Sequence, residues 1–238
     1  MTSTTRVNDA LLFVYGECGP YVTEEEFNEW YDKEHVPARL VLSDFSTAAR
    51  YKAADGKSPS WLAIYDVTTP EVLQSDAYKT LSVNASANEK FIISRLAVLH
   101  RGVYRLCLTI ENPSPGSALL PGKVVVVVGI LPKTPEQEEE IDRWYSVEHL
   151  PLLSKVPGLI RARRYKLLND VELAGKADPT SPTIAFPLLT LYDWESASFA
   201  DEPAYKEAIS TSWSSKLLTK VGEGLEVRSF SLYKSFAK

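Results

Sequence analysis

One cluster of residues occurs twice in this chain. Trp30-Tyr31, Glu34-His35 and Pro37 in EWYDKEHVP recur as Trp144-Tyr145, Glu148-His149 and Pro151 in RWYSVEHLP, 114 positions later. Arg50-Tyr51-Lys52 recurs at the same offset as Arg164-Tyr165-Lys166. Farther on the offset becomes 127, relating Tyr65-Asp66 to Tyr192-Asp193 and Ala77-Tyr78-Lys79 to Ala204-Tyr205-Lys206. The difference of 13 falls in one loop, AADGKSPS in the first half and NDVELAGKADPTSP in the second. A single loop insertion is how related repeats usually differ, so the chain is expected to fold as two copies of one unit. The Pro-, Gly- and Ser-rich stretch 112–122 reads as a linker between repeats at 1–111 and 123–238, each of ordinary domain size.

Within each copy the pattern predicts strand, helix, strand, strand, helix, strand. ALLFVYG is a strand, and TEEEFNEWYDKEHV is a helix with Thr23 and Glu26 as a capping box. FSTAARYKA and SWLAIYDV are strands, TPEVLQSDAYKTLS is helical, and the last strand lies in SRLAVLHRGVYRLCLTI. The second copy repeats the order from KVVVVVGIL to LEVRSFSLYK. This is the ferredoxin-like, or split βαβ, order and places the chain in the α+β class. LLFVY and VVVVV are apolar at both parities, which predicts strands covered on both faces. One cover is the unit's own helices, and the sheet of the other copy is the simplest second cover.

Composition narrows the function classes. A net charge of −5 without any basic block gives nucleic acid or an anionic membrane no electrostatic hold. Two cysteines, Cys18 and Cys107, cannot build a disulfide framework and favour a reducing compartment. The apolar runs are too short for a signal peptide or a membrane span, so a cytoplasmic location is expected. No HxxxH, CxxC, GxGxxG, GxxxxGK[ST] or GxSxG pattern occurs, so no metal and no nucleotide cofactor is expected.

On a helical wheel at about 100° per residue, Glu34 falls inside the apolar stripe of Phe27, Trp30 and Tyr31, with His35 at its border. Asp32 and Lys33 point to solvent. Glu148 and His149 take the same places beside Ile141, Trp144 and Tyr145. A carboxylate in an apolar stripe needs a partner, and Arg50, Arg164 or the adjacent histidine could supply it. A brace at a helix C-terminus, with the proline as a stop, is the plainer reading of the same residues.

The W-Y-x-x-E-H-x-P cluster followed by R-Y-K resembles the EthD-like branch of the dimeric α+β barrel superfamily. The resemblance covers nearly all of both halves. It implies two ferredoxin-like units whose sheets pack face to face, here within one chain as an intramolecular pseudo-dimer, with a further homodimer left open. It also implies a pocket for a small, flat, oxygenated aromatic or polyketide-like molecule. The motif histidines then correspond to His35 and His149. The halves differ at Asp32-Lys33 against Ser146-Val147 and in the loop after Leu168, which argues against two equal sites and does not say which half keeps the chemistry.

Imidazole is a natural base near neutral pH, and an adjacent carboxylate can fix its tautomer. These expectations make His35 or His149 the catalytic base, assisted by Glu34 or Glu148. Tyr31, Tyr145, Arg50 and Arg164 would orient the substrate. His100, aligned with Val227, is a further asymmetric candidate. The function expected first is a cofactor-independent lyase, isomerase or cyclase acting on an aromatic or polyketide-like carbonyl substrate. The alternatives are a cofactor-free or haem-type monooxygenase, and a non-catalytic small-molecule-binding or stress-associated barrel.

Overall fold

The computed structural model describes residues 8–111, 120–175 and 185–236. Most of the expected linker, residues 112–119, lies outside them. The chain forms two compact units. One comprises Met1–Leu106, Leu167–Ala185 and Tyr233–Lys238, and the other Cys107–Lys166 and Phe186–Leu232.

In the first unit, β1 (Ala10–Glu17) leads to α1 (Glu24–Trp30), a π-helical turn (Tyr31–His35) and α2 (Val36–Leu40). Then come β2 (Phe45–Ala53), β3 (Trp61–Val67), α3 (Asp76–Val83), α4 (Ala87–Ile93) and β4 (Val98–Glu111). β1 pairs antiparallel with β3 and β4, and β3 also pairs with β2. All seven residues of β3 are buried, and so are the first seven of β1, as the unbroken apolar runs predict. Leu12, Val14, Ala63 and Tyr65 meet Phe27, Trp30 and Tyr31 of the first helix in one core cluster. Thr23 and Glu26 form the expected capping box.

The second unit runs through β5 (Val124–Ile130), α5 (Pro135–Trp144), a second π-helical turn (Tyr145–His149) and α6 (Leu150–Leu153). It continues with β6 (Leu159–Ala174), β7 (Leu188–Trp194), α7 (Pro203–Ile209), α8 (Ser212–Val221) and β8 (Leu225–Phe236), although β6 from Leu167 and β8 from Tyr233 are counted in the first unit. β5 pairs with β7 and β8, and β7 with β6, all antiparallel. The stretch read from sequence as a long loop after Leu168 begins as strand. Asp170-Val171-Glu172-Leu173 alternates polar and apolar, the period of a strand, and continues β6 to Ala174.

The two π turns correct the helical wheel. Pro37 and Pro151 do not stop the helix: each sits in the first turn of the next helical segment, where its missing N–H costs nothing. The residue before each proline bonds five back instead of four, Val36 to the Tyr31 carbonyl and Leu150 to that of Tyr145. A π turn holds one extra residue, so side chains beyond it lag by up to about 100° on a wheel of α-helical period. The lag turns His35 and His149 inward, both buried. Among the described residues no helix is long and apolar enough to cross a membrane.

Candidate active site

His149 lies at the end of the π turn in the second unit, 7% exposed. Its ring stacks on Trp144, 4.1 Å between centroids at 22°, and meets Tyr145 edge-on at 5.4 Å. The Ala208 backbone lies against the ring, and Nδ1 is buried with no partner. Burial drives the imidazole pKa from 6.5 down to about 4, with Arg164 lowering it further and the Ala208 backbone opposing. The ring is therefore neutral at physiological pH.

A cavity of about 100 Å³ opens beside this ring. Its walls are Val126, Val128 and Ile130 of β5, Trp144, Tyr145, Leu153, Tyr192, Trp194, Phe199 and Tyr205, with the exposed side chains of Ile209 and Val227 at the rim. The Tyr192 hydroxyl is buried, lies against Tyr145, and makes no aligned hydrogen bond. Burial holds that phenol protonated, its pKa raised well above 10. The cavity is therefore a small apolar recess with a neutral imidazole and neutral phenols among the residues of its walls.

The corresponding residues of the first unit are packed against one another. Phe45 stacks on Tyr78 at 5.8 Å and 12°, and meets Tyr65 edge-on at 5.9 Å. The repeat aligns Phe45 with Leu159, which has no ring to fill that space. The recess lined by Phe27, Tyr31 and Arg50 has no room for even a water molecule. His35 Nδ1 is 2.9 Å from Oε1 of Glu89, both side chains at most 9% exposed. Burial first, then Arg39 and Arg50, push the His35 pKa well below 6.5, while burial raises that of Glu89. The pair thus holds one proton between two groups that both resist charge.

Neither motif glutamate is paired with the adjacent histidine. Glu34 accepts from Ser86 Oγ and from Asn88 Nδ2 at 3.1 Å. Glu148 accepts from Thr211 Oγ1 at 2.6 Å. Ser86 and Thr211 are the N-caps of α4 and α8, so these carboxylates tie one helix to the start of another. The lag of the π turn carries them off the inward face. Tyr31 and Tyr145 are buried beside the histidines.

The arginines do not face Glu34 or Glu148. Arg50 binds Asp32 and Asn28 and lies 4.5 Å from the Tyr31 ring centroid. Asp32 is therefore drawn in rather than pointing to solvent, and it also holds Lys234 at 2.9 Å. Arg164 pairs with Asp142 at 2.9 Å and covers Tyr145 at 4.0 Å. His100 meets Asp170 at 3.1 Å in the first unit. Neither Arg164 nor His100 lines the cavity. Among the described residues no cluster of His, Cys, Asp and Glu is placed to hold a metal.

Sequence reasoning missed Glu89 beside His35, Ala208 beside His149, and Tyr192 in the cavity wall. Ser86 and Glu89 carry a capping-box spacing, which points to a helix start and not to a histidine 54 residues earlier. Tyr192 stands in the repeat beside Asp193, where its burial could have been read from strand alternation.

No protein-family model and no curated protein matches the chain. Solved structures do. An anthrone oxidase-like protein shares a TM-score of 0.57 at 15% identity, over 96% of this chain and 92% of that one. A Fusobacterium nucleatum protein provisionally named a monooxygenase gives 0.56 at 11% identity, over 97% and 95%. One from Lactobacillus acidophilus, named likewise, gives 0.56 at 9%, over 96% of each. These likenesses show a shared α+β fold of the ferredoxin-like kind. They also overturn the lyase, isomerase or cyclase expected from the sequence, because the proteins sharing the fold are named for oxygen chemistry.

Proposed function

We propose that this protein is a cytoplasmic, cofactor-independent monooxygenase acting on an electron-rich, hydroxylated or enolisable aromatic ring, with its site in the second unit. The supporting observation is His149 Nδ1, a buried basic nitrogen without a partner beside an apolar cavity. On the same reading the chain is a tandem duplicate of an EthD-like unit, a view supported by the twice-occurring W-Y-x-x-E-H-x-P cluster and by a π turn at the same place in each copy.

The chemistry follows from the surroundings. The His149 imidazole takes the substrate's acidic proton. An imidazole whose pKa is about 4 is a weak base alone, but the imidazolium it becomes is paired at once with the substrate anion, and in a dry site that attraction is large. The delocalised anion passes an electron to dioxygen, and the two radicals join as a peroxide on the ring carbon. Loss of the carbon's remaining hydrogen as a proton and cleavage of O–O leave a carbonyl. The departing oxygen takes up that proton and the one held by His149 and leaves as water. A CH₂ plus O₂ thus becomes C=O plus H₂O, with all four electrons supplied by the substrate.

Haem does not fit this site. A cavity of about 100 Å³ is smaller than the ~150 Å³ that holds benzene and far below the usual range of ~300–1,000 Å³ for larger ligands. Even a single-ring substrate would have to extend past the exposed Ile209 and Val227.

Turnover of a panel of hydroquinones and cyclic enolisable ketones under ¹⁸O₂ tests the proposal. Expected is one ¹⁸O atom in the product, no product without oxygen, and a loss of about 10²–10⁴-fold in His149→Ala. Product formed equally in the absence of oxygen, or undiminished in His149→Ala, would overturn it.

A further inference from the structure

The cavity beside His149 has an apolar mouth, and strand pairing shows how the two units differ there. Ile209 ends α7 and Val227 stands on β8. Both line the cavity, and they are 41% and 48% exposed. Exposed aliphatic side chains scattered singly need no explanation, but these two share one opening. Val227 lies opposite Val128 of β5, and Leu225 opposite Ile130, so alternate residues of β8 carry the apolar floor of β5 outward. Val14 of β1 precedes Val128 by the same 114 positions that relate the motifs, and its partner on β4 is Arg101. Arg101, not His100, therefore takes the place of Val227 in the first unit. Its Nη1 donates to the Tyr78 hydroxyl at 3.2 Å, and Tyr78 is the ring that stacks on Phe45. Where the first unit has a cation bonded to a packed aromatic pair, the second has valine and an opening.

Resting on the reading of this cavity as the substrate site, we propose that Val227 and Ile209 determine its specificity, selecting uncharged rings and rejecting rings that carry a carboxylate or phosphate. Among the described residues, none of those lining the cavity is Asp, Glu, Lys or Arg. A charged substituent brought against such walls gives up water and gains no partner, which is costly. The enclosed space, about 100 Å³, is less than the ~150 Å³ that holds benzene, so part of any ring rests on the mouth. There Ile209 and Val227 offer only hydrocarbon. They gain from covering apolar surface and give a charged group nothing. The part of the ligand that the cavity cannot swallow is therefore the part that these two side chains test. The first unit shows the alternative in the same framework. Arg101 reaches Tyr78, and the repeat equates Tyr78 with Tyr205, which lines the cavity of the second unit. An arginine at position 227 would bring a positive charge to a lining that has none.

Isothermal titration of the full chain with 2-naphthol and with 6-hydroxy-2-naphthoate, the same ring bearing a carboxylate, tests this without reference to turnover. The wild type should bind 2-naphthol about tenfold or more tightly than the naphthoate. Val227→Arg, which installs the first unit's residue, should weaken 2-naphthol about tenfold and abolish or reverse the preference. Val227→Leu should keep it. Ile209→Ser, with Ser82 as the repeat counterpart, should weaken 2-naphthol and leave the naphthoate little changed. Both side chains are exposed, so urea midpoints should stay near wild type. Equal affinity for the two rings in the wild type, or no binding of 2-naphthol, would overturn the inference. So would the wild-type preference persisting in Val227→Arg, or in Ile209→Ser where the arginine variant does not fold. Oxygenation of both rings with equal affinity would overturn the inference alone. The expected binding pattern with no oxygen uptake would instead leave the specificity intact and count against the monooxygenase reading.

Discussion

His35 and His149 occupy the same place in the same local sequence, yet their nitrogens do different things. His35 is spent on a buried hydrogen bond with Glu89, and His149 Nδ1 has no partner. Removing each should therefore fail in a different way. His35→Ala leaves the Glu89 carboxyl buried without its partner and opens a void, at a cost of about 3 kcal/mol, measurable as a lower urea midpoint. Turnover per folded molecule should stay near wild type. His149→Ala should lose turnover with a much smaller change in midpoint, since no partner on the protein is left with an uncompensated charge. The vacated space should accept free imidazole, and added imidazole should restore part of the rate. Loss of turnover in His35→Ala at full folding would place the chemistry in the wrong unit. The repeat makes both histidines legible in the sequence as equivalents. Part of what separates them is Glu89, 54 residues from His35, and a single sequence offers no sign that this position faces the motif.

At the level of elements, the π turn is what aims the imidazole. It comes from the proline two positions after each histidine, which cannot donate to a carbonyl four back. Without that extra residue, the wheel would put the glutamate inward and the histidine at the edge, as the sequence pattern alone suggests. Deleting Val147, whose side chain is exposed, should convert the turn at Tyr145–His149 to ordinary α-helix. Far-ultraviolet circular dichroism should change little, while the stacking of His149 on Trp144 is lost and turnover falls by at least 10²-fold. Retained turnover would mean that the turn is incidental to the site. The caps make a milder case. Thr211→Val removes both the cap of α8 and the hydroxyl that donates to Glu148, and should cost about 1–2 kcal/mol. The order of strands and helices, the capping box at Thr23 and the burial of β1 and β3 were all readable from periodicity. The π turns were not, because a wheel assumes one rotation per residue throughout. Nor was the strand character of residues 169–174, which the polar composition of the insertion disguised.

For the molecule as a whole, the buried histidines set how it meets acid. A group contributes a pH-dependent stability wherever the folded and unfolded chains bind different numbers of protons. His149 has a folded pKa of about 4 against 6.5 for the free side chain. Between those values the unfolded chain takes a proton that the folded chain refuses, so stability falls as pH drops from 6.5 to 4. The full effect is on the order of 3 kcal/mol, from 2.5 units at about 1.4 kcal/mol each. His35 shifts in the same direction. Its partner Glu89 shifts the other way: with a raised pKa the folded chain holds a proton that the unfolded chain releases above about 4.5, and this favours the fold as pH falls. The first unit therefore offsets part of its own acid penalty, and the second has no such offset at His149. Urea unfolding of wild type and His149→Gln at pH 7 and pH 4.5 compares them. The wild-type midpoint should drop markedly between the two, and that of His149→Gln should drop much less, even though glutamine also lacks the imidazole's stacking and starts from a lower stability at pH 7. Equal drops in both proteins would show that His149 takes up its proton in the folded chain as readily as in the unfolded one. The imidazole would then sit in contact with water, and the dry, unpartnered Nδ1 on which the proposed base depends would be ruled out.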